Sequence, residues 1–430
     1  MKVLVVGNGG REHALAWKIR QSPLAEEVYC APGNAGATAV ADCVPIDVSN
    51  IVEIADFAQT IKADLTVVGP ELPMVLGLGD EFQLRGLPIV CPTRAAAELE
   101  GSKAFAREFM SRHQIPSPRH EICDSAERAH AFVDEAPFGF PVVVKADGLA
   151  SGKGTVVARD DAAARAAVDL IMTERKFGTA GAKLVIEEFL AGEEVSFLVF
   201  SDGAKVVPMV SVQDHKQLLD DDQGPNTGGM GTVSPATNLS MDAHKQIMQE
   251  IVLPTVKGMA EEGRRYQGIL YVGLMITAEG PRVLEYNTRF GDPEAQVILA
   301  RMRSDLVPVL QGVAEGQLPE AKIEWAKEAA VCVVLASKGY PDAVETGHTV
   351  EGLDAVAGAP DTIVFHAATA AEGGRIVTVG GRVLGVTALG SNLEAAVERA
   401  YEGVAKVSFE GMHYRSDVGR KALARLRAPR

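Results

Sequence analysis

Residues 141–158 read PVVVKADGLASGKGTVVA, and their reading decides the fold. Positions 141–146 form an apolar strand that ends at Lys145, and 155–158 read as the returning strand. Burying a lysine among valines is unfavourable unless it is paired or reaches solvent, so Lys145 calls for an anion. The intervening loop is built from small residues, which let backbone N–H groups approach oxygen closely. It is not a P-loop. Gly148 and Gly152 are separated by three residues rather than four, and Gly154 stands where a Ser or Thr would hold magnesium. With a strand on either side, the loop reads as a flap over phosphates, with Gly148, Ser151, Gly152, Lys153 and Gly154 as its candidate contacts.

Downstream, 184–189 (LVIEEF) is a further strand, and 281–290 (PRVLEYNTRF) pairs with 270–277 (LYVGLMIT). Residues i and i+2 of a strand share a face, so Glu285 and Asn287 point one way and Arg289 joins them if the strand continues. Oxygen ligands from one or two side chains, completed by substrate phosphates, are what magnesium prefers. An arginine beside them can neutralise a transferring phosphoryl group. Upstream, 98–113 is expected to be one helix carrying Lys103 in its first turns, followed by a proline-rich hinge at 115–118.

The first hundred residues alternate strands (2–6, 28–30, 64–68, 88–91) with helical patterns, which predicts an open parallel sheet with helices on both faces. Ligands of such sheets sit beyond the carboxyl ends of the strands. Three glycine-containing strand ends, at 7–10, 32–36 and 69–71, should therefore line one crevice. The third glycine of a dinucleotide fingerprint would fall on Glu12, and the next strand end, Ala31-Pro32-Gly33-Asn34, offers no carboxylate for a ribose. A phosphate at the helix N-terminus, helped by Arg11, fits the residues better than a nicotinamide cofactor.

The chain divides into an N-terminal Rossmann-like domain (1–100), a connecting helix and hinge (101–120), an α+β lid (121–190), a main α+β subdomain with the metal site (191–327) and a small α+β C-terminal domain (328–430). The polar stretch from 214 to 235 shows little periodicity and reads as a long functional or mobile loop.

Net charge is −15, which gives no global attraction for nucleic acid or an anionic membrane. No apolar run reaches membrane-helix length, and the apolar stretch before Gly7 is too short for a secretory signal. Five cysteines without a C-x-x-C pair suggest reduced thiols, and nine histidines without H-E-x-x-H spacing give no sign of zinc. The expectation is a cytoplasmic protein, monomeric or weakly dimeric, acting on small molecules.

Lys103, Lys145, the flap at 148–154, VIEEFL, Glu194 and the Glu285/Asn287 pair together resemble the ATP-grasp superfamily. GNGGREHALAWK, PGNAG, VGPE, LEGSKAF, KADGLASGKG, QDHK, GPNTGGMG and RFGDPE are similar, within it, to the glycinamide ribonucleotide synthetase family. The resemblance implies ATP-dependent joining of glycine to 5-phosphoribosylamine through a glycyl phosphate, with Mg2+ or Mn2+, in purine synthesis. It assigns Lys103 and Lys145 to ATP phosphates, the hinge Glu187, Glu188, Phe189 and Leu190 to adenine, and Glu194 to the ribose. Glu285 and Asn287 would hold the metal, and Arg289 would neutralise the phosphoryl group or the glycine carboxylate. Asn8, Gly9, Gly10, Gly33 and Asn34 would hold the ribose 5-phosphate, with Gly69, Pro70, Glu71 and Asp292 beside them. Asp214, Thr227, Gly228 and Gly229 would face the reacting amine and glycine. One departure is plain: many superfamily members carry another acid on the strand before the E-x-N pair, and 270–274 has none.

Overall fold

The computed structural model describes residues 1–150 and 154–428. Its N-terminal sheet is parallel, in the order Asp42–Cys43, Glu27–Pro32, Lys2–Gly7, Leu65–Val68, Ile89–Val90. Val3, Val5, Leu4 and Val6 are all fully buried, as a strand covered on both faces must be. Val3 and Val5 join Ala14 and Leu15 of the helix Gly10–Ile19, while Leu4 and Val6 join Ile54 and Ala58 of Ile51–Ile61. Chain order reverses beside Lys2–Gly7, so the ends of that strand and of Leu65–Val68 open the crevice expected at such a switch point.

The helix expected over 98–113 is two helices, Arg94–Gly101 and Lys103–Arg112. Ser102 between them is extended, its hydroxyl accepts from the Phe105 N–H, and it donates to Asp147 at 2.9 Å. Ser102 is thus an N-cap placed inside a continuous helical pattern, and it starts the second helix at Lys103. The lid sheet is antiparallel in the order His120–Cys123, Leu184–Glu188, Val142–Ala146, Thr155–Ala158. Val144, Ile186 and Ala158 close its core against Ala164 and Val168.

The next sheet, also antiparallel, runs Val206–Pro208, Glu193–Asp202, Gln267–Thr277, Gly280–Asn287. Helical residues 241–261 cover it, with Ile247, Ile251, Val256 and Met259 packed on Leu270 and Val272.

The last five-stranded sheet corrects the long loop and spans the boundary placed at 328. Its order is Gln213–Asp214, Gly231–Ser234, Ala329–Ala336, Arg382–Gly390, Thr362–His366, so two strands come from the expected main subdomain. Residues 217–219 and 223–226 pair as a hairpin within the same stretch. Polar side chains conceal the strand Gly231–Ser234: buried Thr232 donates to Pro293 O and Ser234 to Ser211 O. No helix among the described residues is long and apolar enough to cross a membrane.

Candidate active site

A cavity of about 600 Å³ lies where these units meet. Arg11, Pro70 and Glu71 reach it from the segments that follow two strands of the N-terminal sheet, Glu100, Lys103 and Arg107 from the two connecting helices, and Leu149, Thr155 and Glu187 from the lid. Lys216, Tyr271, Glu285, Asn287, Arg289 and Glu294 form its floor, and Tyr340 and Arg382 close it from the C-terminal side.

Glu285 and Asn287 both line the cavity, as their shared strand face requires. Gly273 pairs with Glu285 across the sheet, and a Cβ at Gly273 would lie 3.1 Å from Glu285 Cγ. The missing acid on that strand thus leaves the carboxylate its space. Glu285 accepts no hydrogen bond from the described residues. Burial opposes its ionisation, but Lys216, Lys145, Lys103 and Arg289 outweigh burial and hold its pKa below the usual carboxylate value. An ionised carboxylate with no hydrogen-bond partner among the described residues could hold a metal. No group of three or more His, Cys, Asp or Glu suited to a metal occurs among the described residues.

Arg289 is clamped. Its Nη2 lies 2.9 Å from Glu100 and donates to Asn287 Oδ1 at 3.1 Å, and its Nε reaches Glu71 at 3.3 Å. Glu100 also accepts from the Thr288 N–H and hydroxyl, yet burial raises its pKa.

Lys145 does not wait for an external anion. Its ammonium sits 2.9 Å from Glu187 and donates to Leu284 O at 3.1 Å. Arg107 holds the other Glu187 oxygen at 2.6 Å and donates to Val283 O and Leu284 O. Lys103 donates weakly to Gly148 O at 3.4 Å, and burial lowers its pKa.

The adenine-hinge expectation changes in form. The Glu187 backbone is in register between His120 and Val143, and its side chain faces the cavity. Glu188 donates its N–H to Arg119 O, and its carboxylate accepts from the Arg119 N–H and guanidinium. Phe189 is exposed, and the cavity lining does not extend to Glu188, Phe189, Leu190 or Glu194. Burial raises the pKa of Glu194, although Lys216 opposes this. In the flap, Gly148 has no room for a side chain, because a Cβ would come 2.9 Å from Ala180; Gly154 lines the cavity. Ser151, Gly152 and Lys153 lie outside the described residues.

The three glycine-bearing strand ends do converge, but part of their polar capacity is already used. Gly9 donates its N–H to Glu12 at 2.5 Å. Asn34 donates to Asn8 O, Gly9 O and His366 O and accepts from the Gly36 and Ala37 N–H groups, so its amide is committed to holding the loops. Gly33 packs on Cys43, and Gly69 approaches Glu12 so closely that a Cβ would fall 1.9 Å from Oε1. Pro70, Glu71, Arg11 and Asp292 line the cavity, whereas its lining does not extend to Asn8, Gly9, Gly10, Gly33, Asn34 or Gly69.

Asp214 is also set back. Lys216, 2.9 Å from it, lines the cavity in its place. Burial pushes the Asp214 carboxyl up to about 7 against the pull of Lys216. Thr227 and Gly228 line the cavity, and Gly229, at φ +114°, passes so near Asp214 that a Cβ would meet Oδ1 at 2.8 Å.

Sequence reasoning left Glu100, Arg107, Lys216, Tyr271, Glu294, Tyr340 and Arg382 without roles. Glu294 accepts from Tyr271 at 2.7 Å and from Ser196 at 2.9 Å. Lys216, Glu294 and Arg382 sit in QDHK, RFGDPE and GGRVLGVTALG, where a signal existed; Tyr340 carried none.

Comparison with known proteins gives a consistent picture. The chain matches the phosphoribosylglycinamide synthetase N domain over residues 1–100, its ATP-grasp (A) domain over 101–295 and its C domain over 330–421. It is 50% identical over 429 residues to phosphoribosylamine–glycine ligase of Escherichia coli O157:H7, covering 99% of each chain. It is 49% identical over 424 residues to the enzyme of that name from Halalkalibacterium halodurans, covering 99% of this chain and 98% of the other. The crystal structure of phosphoribosylamine–glycine ligase from Thermotoga maritima aligns with a TM-score of 0.84 at 35% identity, over 97% of this chain and 100% of that one. The biotin carboxylase domain of Hydrogenobacter thermophilus 2-oxoglutarate carboxylase, solved with MgADP and bicarbonate, aligns at 0.74 and 18% identity, over 96% and 91% of the chains, and shares the fold.

Proposed function

The chain belongs to the phosphoribosylglycinamide synthetase family, whose reaction is the ATP-dependent joining of glycine to 5-phosphoribosylamine in purine biosynthesis, and we propose that its central cavity performs that reaction through a glycyl phosphate. The observation that carries this reading is the ionised carboxylate of Glu285, beside Asn287 and ringed by Lys103, Lys145, Lys216 and Arg289.

A carboxylate is a poor acyl donor because its leaving group is oxide. Moving the γ-phosphoryl group of ATP onto a glycine carboxylate oxygen breaks the bond to ADP and gives an acyl phosphate. The amine nitrogen of phosphoribosylamine then attacks the carbonyl, phosphate leaves, and a proton is lost from nitrogen. Such chemistry asks the protein for positioning and charge neutralisation rather than for covalent participation.

Lys103 and Lys145 face the phosphates. An ammonium has three donors, and Lys145 directs two of them to Glu187 and Leu284 O, so one remains for a phosphate oxygen. Apolar Leu99, Ala106, Met110 and Leu149 line the end of the cavity that would take the base. The ionised Glu285 and the Asn287 amide oxygen fit a hard divalent cation, magnesium or manganese, which would neutralise phosphate charge when bound. Arg289, fixed by Glu71 and Glu100, presents its charge where the phosphoryl group or the glycine carboxylate would lie. Asp214 acts through Lys216 as a positioning residue, holding that ammonium at the cavity floor. Phosphoribosylamine would enter from the side of Arg11, Pro70, Glu71 and Asp292, with the 8–10 loop framing its phosphate.

The test measures ADP and amide product with glycine, freshly made phosphoribosylamine, ATP and magnesium, omitting each in turn. The proposal expects amide only when all are present, with about one ADP for each amide formed. Amide without ADP, or amide formed with a substrate omitted, would overturn it.

A further inference from the structure

An acyl phosphate reacts with water as well as with an amine. Attack by water forms a carbon–oxygen bond, expels the same phosphate and regenerates glycine, so ATP is consumed without product. The amine route needs the carbonyl to be held for nitrogen and covered from solvent.

The loop 227–229 runs along the cavity between Lys216 and the C-terminal sheet. On one side it is pinned to Lys216 O, which accepts from both the Thr227 N–H and its hydroxyl at 2.8 Å. On the other side it meets two residues of the C-terminal region. The Tyr340 hydroxyl accepts from the Gly228 N–H at 3.0 Å. Arg382 Nη1 donates to Gly228 O at 2.7 Å, to Gly229 O at 3.3 Å and to Asp292 O at 2.5 Å. One guanidinium thus ties the 227–229 loop to the segment that carries Asp292, and Tyr340 and Arg382 both line the cavity. The packing leaves no slack. A Cβ at Gly228 would lie 3.0 Å from Arg382 Cζ, and one at Gly381 would lie 2.3 Å from the Tyr340 ring.

We propose that Tyr340 and Arg382 form a clasp that holds the 227–229 loop over the reacting carbonyl, and that they are positioning residues for the amine step that keep glycyl phosphate from water. Beyond those carbonyl oxygens, the Arg382 charge is offset by the carboxylates of Asp292, 3.8 Å away, Asp214 and Glu294. This inference rests on the acyl phosphate reading above.

The experiment compares the wild-type chain with Tyr340→Phe and Arg382→Lys. Tyr340→Phe keeps the ring that packs on Gly381 and removes only the acceptor of the Gly228 N–H. Two quantities are measured: glycine hydroxamate trapped by hydroxylamine without phosphoribosylamine, and ADP formed per amide with freshly made phosphoribosylamine. Wild type is expected to give hydroxamate and about one ADP per amide. In the variants amide formation should fall more than hydroxamate formation does, with ADP per amide rising about twofold or more. A ratio that stays at one in both variants, whatever their rates, overturns the clasp. Absence of hydroxamate with the wild type and with both variants overturns the acyl phosphate itself and the clasp with it, so the two failures are distinguishable.

Discussion

The ammonium of Lys145 lies 2.9 Å from Glu187, and Arg107 holds the other oxygen of the same buried carboxylate at 2.6 Å. Two cations on one carboxylate behave differently when different members are removed. Lys145→Met leaves the Arg107–Glu187 pair intact, so the fold should persist while ATP binding weakens about tenfold or more. Glu187→Gln leaves two buried cations facing one another and should lower unfolding free energy by about 3 kcal/mol or more. Equilibrium nucleotide binding and urea unfolding check both. Equal destabilisation by the two substitutions would contradict the arrangement.

Glu285 carries a full charge and no hydrogen bond from the described residues, so its replacement should affect turnover far more than folding. Glu285→Gln is expected to reduce kcat about 100-fold or more at saturating magnesium with an unchanged circular dichroism spectrum. Near-normal turnover would remove the metal-ligand role.

A side chain at Gly9 would point at Glu12 Oε2 and Asp292 Oδ2, 2.6 and 3.0 Å from a Cβ. Gly9→Val should therefore disturb the crevice beside Asp292 and raise KM for phosphoribosylamine about tenfold or more, with a smaller change for ATP. Equal changes in both constants would place the ribose phosphate elsewhere.

His13 accepts the His366 N–H on Nδ1, and burial first, then His366, lowers its pKa to about 3. Burial lowers His366 to about 4. Both are neutral in the folded chain at pH values where the unfolded chain binds protons. Their contribution to stability is complete above pH 6.5 and is lost as pH falls toward the folded values, with a limiting slope of about 1.4 kcal/mol per pH unit for each. His13→Asn keeps an acceptor at that place and cannot titrate. It should flatten the dependence of unfolding free energy on pH between about 6.5 and 4. An unchanged slope would show that His13 is not the group responsible.

How much of this was legible in the sequence depended on whether a residue's partner was near in the chain. The strand periodicity of 281–287 was enough to put Glu285 and Asn287 on one face, and VLVV at 3–6 was enough for a strand buried on both sides. The break at Ser102 was hidden because its partner, Asp147, lies 45 residues away. The strand Gly231–Ser234 was hidden because its polar side chains are satisfied by Pro293 and Ser211, which no local pattern reveals. The internal neutralisation of Lys145 and the setback of Asp214 behind Lys216 were invisible for the same reason: each depends on a side chain meeting its counterpart across the fold.

The central claim is that a glycine carboxylate oxygen accepts the phosphoryl group. Glycine labelled with oxygen-18 in its carboxylate tests it directly, by mass analysis of the phosphate released during amide formation. The account requires one labelled oxygen in each phosphate produced in the first turnover. Unlabelled phosphate, formed alongside normal amounts of amide, would contradict it.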